Sequence, residues 1–234
     1  MSKSTLYMNL PFSEAIAFFR QKMNIATTAW DALWQDMHSQ AFSVAGAIEN
    51  ELLEDLRGAV DKGIADGTTM AEFRQDFRSI VDKHGWAYKG GEAWRASVIY
   101  NTNLTVAYQR GHWNRMTDPD VLKVRPFLRY IESSSQNKRP DHQQFANLIL
   151  PASDPFWKTH YPPNGWGCKC GVVGMSEREI QRMIDKGVDV RRESPVIEYR
   201  DWTNKKTGEV HSVPIGIDPG WDYNVGIDGF KEAA

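Results

Sequence analysis

NKRPDHQQFANLILPASDPFWKTHYPPNGWGCKC, residues 137–170, gathers His142, His160, Cys168 and Cys170 in one stretch, with Asp141 and Asp154 nearby. Thiolates and neutral imidazoles are the usual ligands of a tetrahedral zinc ion. Cys168 and Cys170 stand one residue apart on a Gly-flanked turn, so both sulphurs can point at one ion. His142 is the candidate third ligand, with His160, Asp141 or a water as the fourth. The spacing is Cys-x-Cys, which is less specific than paired Cys-x-x-Cys motifs. Two other readings of these residues stay open: small buried thiols beside a core histidine, or a redox-active pair. A disulfide between cysteines this close would form a small strained ring. With two cysteines in 234 residues, a disulfide framework is excluded. Pro162-Pro163 holds the backbone extended and Asn164-Gly165 permits a tight turn. Trp157, Tyr161 and Trp166 are expected to close over that loop.

Around this stretch the chain reads as α+β, with an N-terminal helical domain (1–120) and a small α+β domain (121–234) of short strands and an aromatic, Pro-rich loop. Upstream, residues 13–23 place Ala15, Phe18, Phe19 and Met23 at helical spacing. Apolar residues from Trp30 to Val60 recur at three and four, which predicts one long helix opened by Thr28 and Asp31 and ended by Gly63 and Gly67. Thr69 with Glu72 opens the next helix, which Gly85 closes. A fourth is predicted from about Glu92 to Met116, with Trp94, Val98, Leu104 and Tyr108 on its buried side. Downstream, Phe127, Arg129 and Ile131 alternate with Leu128 and Tyr130 as in a strand. Ser176 and Glu179 form another capping box, and the runs 196–202 and 209–215 predict a hairpin turning at Asn204 to Gly208.

There are 28 Lys+Arg and 30 Asp+Glu, a net charge of −2 that excludes a simple polycationic nucleic-acid condenser. Residues 121–211 hold 15 basic and 11 acidic residues, net +4, so Lys138-Arg139, Arg191-Arg192 and Lys205-Lys206 are candidates for a local basic face. No apolar run approaches the roughly 18–20 residues that span a bilayer. The opening residues lack a signal-peptide core, and the expectation is a soluble protein made in the cytosol. G-x-S-x-G, Walker and H-E-x-x-H motifs are absent.

Several stretches together resemble the phage Mu F-like minor head proteins, the head-morphogenesis family of tailed phages. They are the opening LPFSEAIAFFRQK, the IYNTNLTVAYQRGHW helix with Thr102, Asn103, Ala107 and Tyr108, the DPFWKTHYPPNGWGCKC loop, and the closing GIDPGWDYNVG. Before the aromatic loop the family pattern is Asp-x-Arg-Thr-Arg-x-x-His. Arg139 and His142 fit it, whereas Ser135 and Asn137 stand where Asp and Arg are expected. Some relatives continue into effector domains after the DYN-x-G motif; with eight residues given after Gly226, the expectation is that no effector is appended. The resemblance implies a non-catalytic minor capsid component of a phage or prophage, inside the head near the portal. It would meet portal or major capsid protein, and packaged DNA through its backbone, with no membrane. The competing expectation is a metal-dependent hydrolase or nuclease delivered with the genome, built on Arg139, His142, Cys168 and Cys170.

Overall fold

The computed structural model describes residues 12–29, 34–35, 37–133, 135, 138–205 and 207–227. In chain order the elements are α1 (Ser13–Gln21), β1 (Met23–Asn24), α2 (Met37–Gln40), β2 (Ala41–Phe42), α3 (Asn50–Ala65), α4 (Met70–His84), α5 (Glu92–Met116) and α6 (Pro119–Val124). They continue with β3 (Phe127–Ile131), α7 (Pro140–Gln143), β4 (Ile149–Pro151), α8 (Phe156–His160), β5 (Gly171–Met175), α9 (Glu177–Asp185), β6 (Tyr199–Thr203) and β7 (Val210–Pro214). The fold is mixed α+β, with helices packed together first and short strands in small sheets after them. The chain divides into two compact units, Met1–Ala32 with Gln40–Gly111, and Leu33–Ser39 with His112–Ala234. Among the described residues no helix is long and apolar enough to cross a membrane.

The first unit is helical. Phe18 and Phe19 of α1, Leu52, Leu53, Leu56 and Val60 of α3, and Phe73 and Phe77 of α4 are all buried. Thr69 caps α4 through the predicted reciprocal box, and Gly85 ends it in the left-handed region at φ +58°. The long helix predicted from Trp30 does not form. Its described part breaks into the short α2, a parallel β1–β2 pairing of Met23 with Ala41, and a loop through Gly46 at φ +86° before α3 begins. Of the residues that carry the spacing there, Ala45 is half-buried in the loop and Ile48 is exposed, whereas the loop turns Val44 and Ala47 inward. Trp30, Asp31 and Leu33 lie outside the described residues. Gly63 does not end α3 but lies within it, because a Cβ there would sit 2.6 Å from the Tyr100 ring.

Helix α5 has the predicted span but a different buried face. Ala96, Ile99, Tyr100, Val106 and Ala107 are buried, and Trp94 is 58% exposed. The face mixes the small Ala96 and Ala107 with Ile99, Tyr100 and Val106, so the predicted stripe through Trp94 misplaces it. Gly111 completes that face, since a Cβ there would meet the Phe12 ring at 2.7 Å.

The second unit is built on a three-stranded antiparallel sheet ordered β4-β3-β5, with Leu128 paired to Leu150 and to Gly174. The predicted alternation holds: Leu128 and Tyr130 are fully buried. The Ser176–Glu179 box opens α9, which buries Ile180 beside Ile149 and Met175. The β6–β7 hairpin pairs Trp202 with His211 around the predicted turn.

One buried charge in the first unit has a thermodynamic consequence. Lys22 is 4% exposed, with Nζ 3.5 Å from the Ala41 carbonyl oxygen and 5.1 Å from the Phe18 ring centroid. Burial, with the Arg57 charge second, lowers its pKa to about 7. Below that pH both folded and unfolded chains hold the proton. Between about 7 and the ordinary lysine value of 10.5 the unfolded chain binds more protons, so stability rises with pH across that window. Urea unfolding from pH 6 to 10 should show this rise in the wild type. Lys22→Met should flatten it and raise stability at pH 7.

Candidate metal centre

His142 is carried by the single turn α7, entered through Pro140 at its first position. Cys168 and Cys170 lie just before β5, and the residue between them, Lys169, is exposed while both cysteines are buried. That alternation turns the two thiols to one side of an extended segment. Cys168 Sγ is 3.6 Å and Cys170 Sγ 3.7 Å from His142 Nδ1, and the three donor atoms all lie within 4.8 Å of one another. Zinc–sulphur bonds near 2.3 Å and zinc–nitrogen bonds near 2.05 Å at tetrahedral angles give S···N edges of about 3.6 Å. The spacing therefore fits an ion held by these three side chains, and the donor set, two thiols and an imidazole, suits zinc. Buried as they are, the thiols titrate as one unit. The hydrogen bond from the Cys168 thiol pulls the Cys170 pKa down, and that same bond, with burial, pushes the Cys168 thiol up.

A polar shell holds the donors. The Tyr130 hydroxyl hydrogen-bonds the Cys170 sulphur, and Asn164 Nδ2 donates to the Tyr130 oxygen at 3.0 Å, which leaves the phenolic proton for the thiolate. Burial, together with the adjacent thiolates, keeps that phenol protonated far above its ordinary range. Arg139 fixes the loop itself: its guanidinium donates to the Trp166 carbonyl at 2.6 Å and to Asp218 at 2.8 Å, and Asp218 also accepts from the Trp166 N–H at 3.1 Å. Gly165 sits against this clamp, where a Cβ would lie 2.2 Å from Asp218 Oδ2. The peptide bond between Pro162 and Pro163 is cis. Trp157 and Tyr161 are fully buried as expected, whereas Trp166 is half-buried and set edge-on to Trp221 at 5.1 Å. Asn224 of the closing motif donates to the Trp157 carbonyl and accepts from the Gly226 N–H.

The other sequence candidates have different work. His160 stacks on Phe156 at 4.5 Å and shares a hydrogen bond with Thr159 through Nδ1, and burial with His142 second lowers its pKa to about 4. It is a neutral core histidine outside the donor group. Asp141 is exposed, and Asp154 accepts from the Phe156 N–H at the start of α8. Lys138 pairs with Glu132, Arg139 with Asp218 and Arg192 with Glu177, while Arg191 donates to the Gln144 and Ala146 carbonyls. Four of the six residues named as a basic face are thus tied to groups of their own unit. Lys206 and Asn137 lie outside the described residues. In the sequence Tyr130 and Asn164 read as strand and turn residues, not as part of the site, and Asp218 stands in the closing GIDPGWDYNVG.

These features define a class: a two-unit α+β protein whose Pro-Trp-Cys loop folds back on a buried His-Cys-Cys group. The family model described as Phage Mu protein F like protein matches residues 54–173, which include all three donors. The chain belongs to the phage Mu F-like family. It is 31% identical over 248 aligned positions to the protein of Escherichia phage Mu named "Putative capsid assembly protein F", covering 94% of this chain and 55% of that relative. It is 29% identical over 231 positions to the Mu-like prophage FluMu F protein of Haemophilus influenzae, covering 89% of this chain and 54% of the relative. The chain thus spans about half the length of the curated relatives it matches. No solved structure matches it.

The clamp gives a test of how the loop is held. Asp218→Ala removes both acceptor contacts at once. Because the pair is partly exposed, with side chains 42% and 34% accessible, screening reduces its worth. The expected loss is about 1–2 kcal/mol in denaturant unfolding, with weaker metal retention as the loop loosens. Unchanged unfolding would show that the loop is held without Asp218.

Proposed function

We propose that this chain acts in phage head assembly as a minor capsid component, seated inside the head near the portal, and that it catalyses no reaction. Family membership carries the reading, together with a relative named for capsid assembly that aligns over 94% of the chain. Its partners would be portal or major capsid protein, and any contact with packaged DNA would be backbone-directed and strongly salt-dependent. In this reading His142, Cys168 and Cys170 hold one zinc ion. The ion fastens α7 to the segment leading into β5, and its binding free energy becomes folding free energy of the second unit.

A pocket beside the triad, lined by Glu132, Lys138, Arg139, Lys169 and the three donor residues, favours a second reading as a metal-dependent hydrolase. Metal-assisted hydrolysis needs an open coordination position and a general base. Glu132 is the one carboxylate on this wall, and it is paired with Lys138 at 2.6 Å. Ser135 stands where the family pattern has an acid. Both observations weigh toward the structural role.

Mass spectrometry of purified proheads and mature heads should find the chain at low copy number, and its absence from both would sink the capsid assignment. Metal analysis after chelator-free purification should give one zinc per chain, and Cys168→Ser should lose it. Chelation should cost about 4 kcal/mol of stability for zinc present at a thousand times its Kd.

A further inference from the structure

We propose that the metal at His142, Cys168 and Cys170 keeps its fourth coordination position open to the adjoining pocket, and that this position takes an exchangeable water or small anion. The inference rests on the reading of the triad as a metal centre given above. A tetrahedral ion requires four donors, and closed structural sites take all four from protein. Here the donor group consists of three side chains among the described residues. The nearby alternatives do not join them: Asp141 is exposed and outside the donor group, His160 packs on the Phe145 and Phe156 rings and bonds Thr159, Asp154 holds the start of α8, and Asp218 holds Arg139 and the Trp166 N–H.

All three donor residues line a pocket of about 60 Å³. A cavity needs roughly 10–15 Å³ on this measure to hold one water, so the space admits a water or a small linear anion beside the ion. Charge selects between them. A divalent ion with two thiolates and a neutral imidazole is neutral overall. Of the three cations on the pocket wall, Lys138 is paired with Glu132 and Arg139 with Asp218, so the excess positive charge is that of Lys169. That excess favours an anion over a neutral donor. The Tyr130 bond to Cys170 acts in the same direction, because it draws electron density from the thiolate and leaves the ion a stronger acceptor for its fourth ligand.

Loading the full chain with Co²⁺ in place of zinc makes the position visible. Sulphur-to-cobalt charge-transfer absorption reports the thiolate ligands, and the visible d–d bands report the coordination sphere. Azide is the probe: a cobalt–oxygen bond to water breaks and a cobalt–nitrogen bond forms, with no change of oxidation state. The expected result is charge-transfer absorption on loading, followed by a saturable azide-dependent shift of the d–d bands that leaves the charge-transfer band in place. A present charge-transfer band with d–d bands that azide does not move would mean a closed site and would overturn this inference while leaving the metal centre standing. Absence of the charge-transfer band would remove the metal centre itself. In the double variant Cys168→Ser/Cys170→Ser, with far-UV circular dichroism checking the fold, both signals should vanish. An azide shift that persists there would place the bound cobalt elsewhere and overturn the assignment.

Discussion

Three polar donors buried within 4.8 Å of one another set the terms for the second unit. Two thiols and an imidazole withdrawn from water lose hydration that the interior must replace. The surroundings replace it in part. Tyr130 reaches Cys170, Asn164 orients Tyr130, and the Cys168 thiol hydrogen-bonds the Cys170 sulphur. A bound divalent cation would complete the compensation by turning mutual repulsion of two thiolates into attraction toward a common centre. The other contacts around the site, from the Arg139 clamp to the Asn224 bond on Trp157, hold the loop where this convergence is possible.

Local signals in the sequence were legible and distant ones were not. Each capping box needs only residues three apart, and both Thr69–Glu72 and Ser176–Glu179 form as read. Cys168 and Cys170 are likewise local, so their approach to one point follows from the alternation of a short extended segment. The choice of His142 over His160 was not local. It turns on His160 packing against Phe145 and Phe156, which no spacing rule reveals. The clamp and the Tyr130 bond join residues 79 and 34 positions apart, and such separations leave no periodic trace.

The two misread helical faces share one cause. Periodicity weighs side chains by size and hydrophobicity, but burial is decided by shape. In α5 the buried face is built on Ala96, Ala107 and Gly111 because rings such as Phe12 need room to approach. Between Trp30 and Val60 the helical spacing runs through Ala45 and Ile48, yet the loop buries Val44 and Ala47 instead, and Gly46 at φ +86° interrupts the predicted helix. A glycine at positive φ among apolar residues is a stronger signal for a loop than their spacing is for a helix.

The same contrast bears on what the second unit is for. Its regular structure is sparse: a three-stranded sheet, a two-stranded hairpin and mostly short helices. Sheets this small bury little apolar area on their own. The unit is held instead by side-chain bonds to backbone across long loops, by stacked rings such as His38 on Trp221 at 5.4 Å, and by the donor triad. An architecture of this kind fixes loops in place more than it shapes a deep cleft. The loop residues from Trp157 to Gly165 are largely buried, so the loop serves as packing within the unit. On the reading proposed above, a hydrolytic metal here would need a free base beside it, and Glu132, the one carboxylate on the pocket wall among the described residues, is held by Lys138.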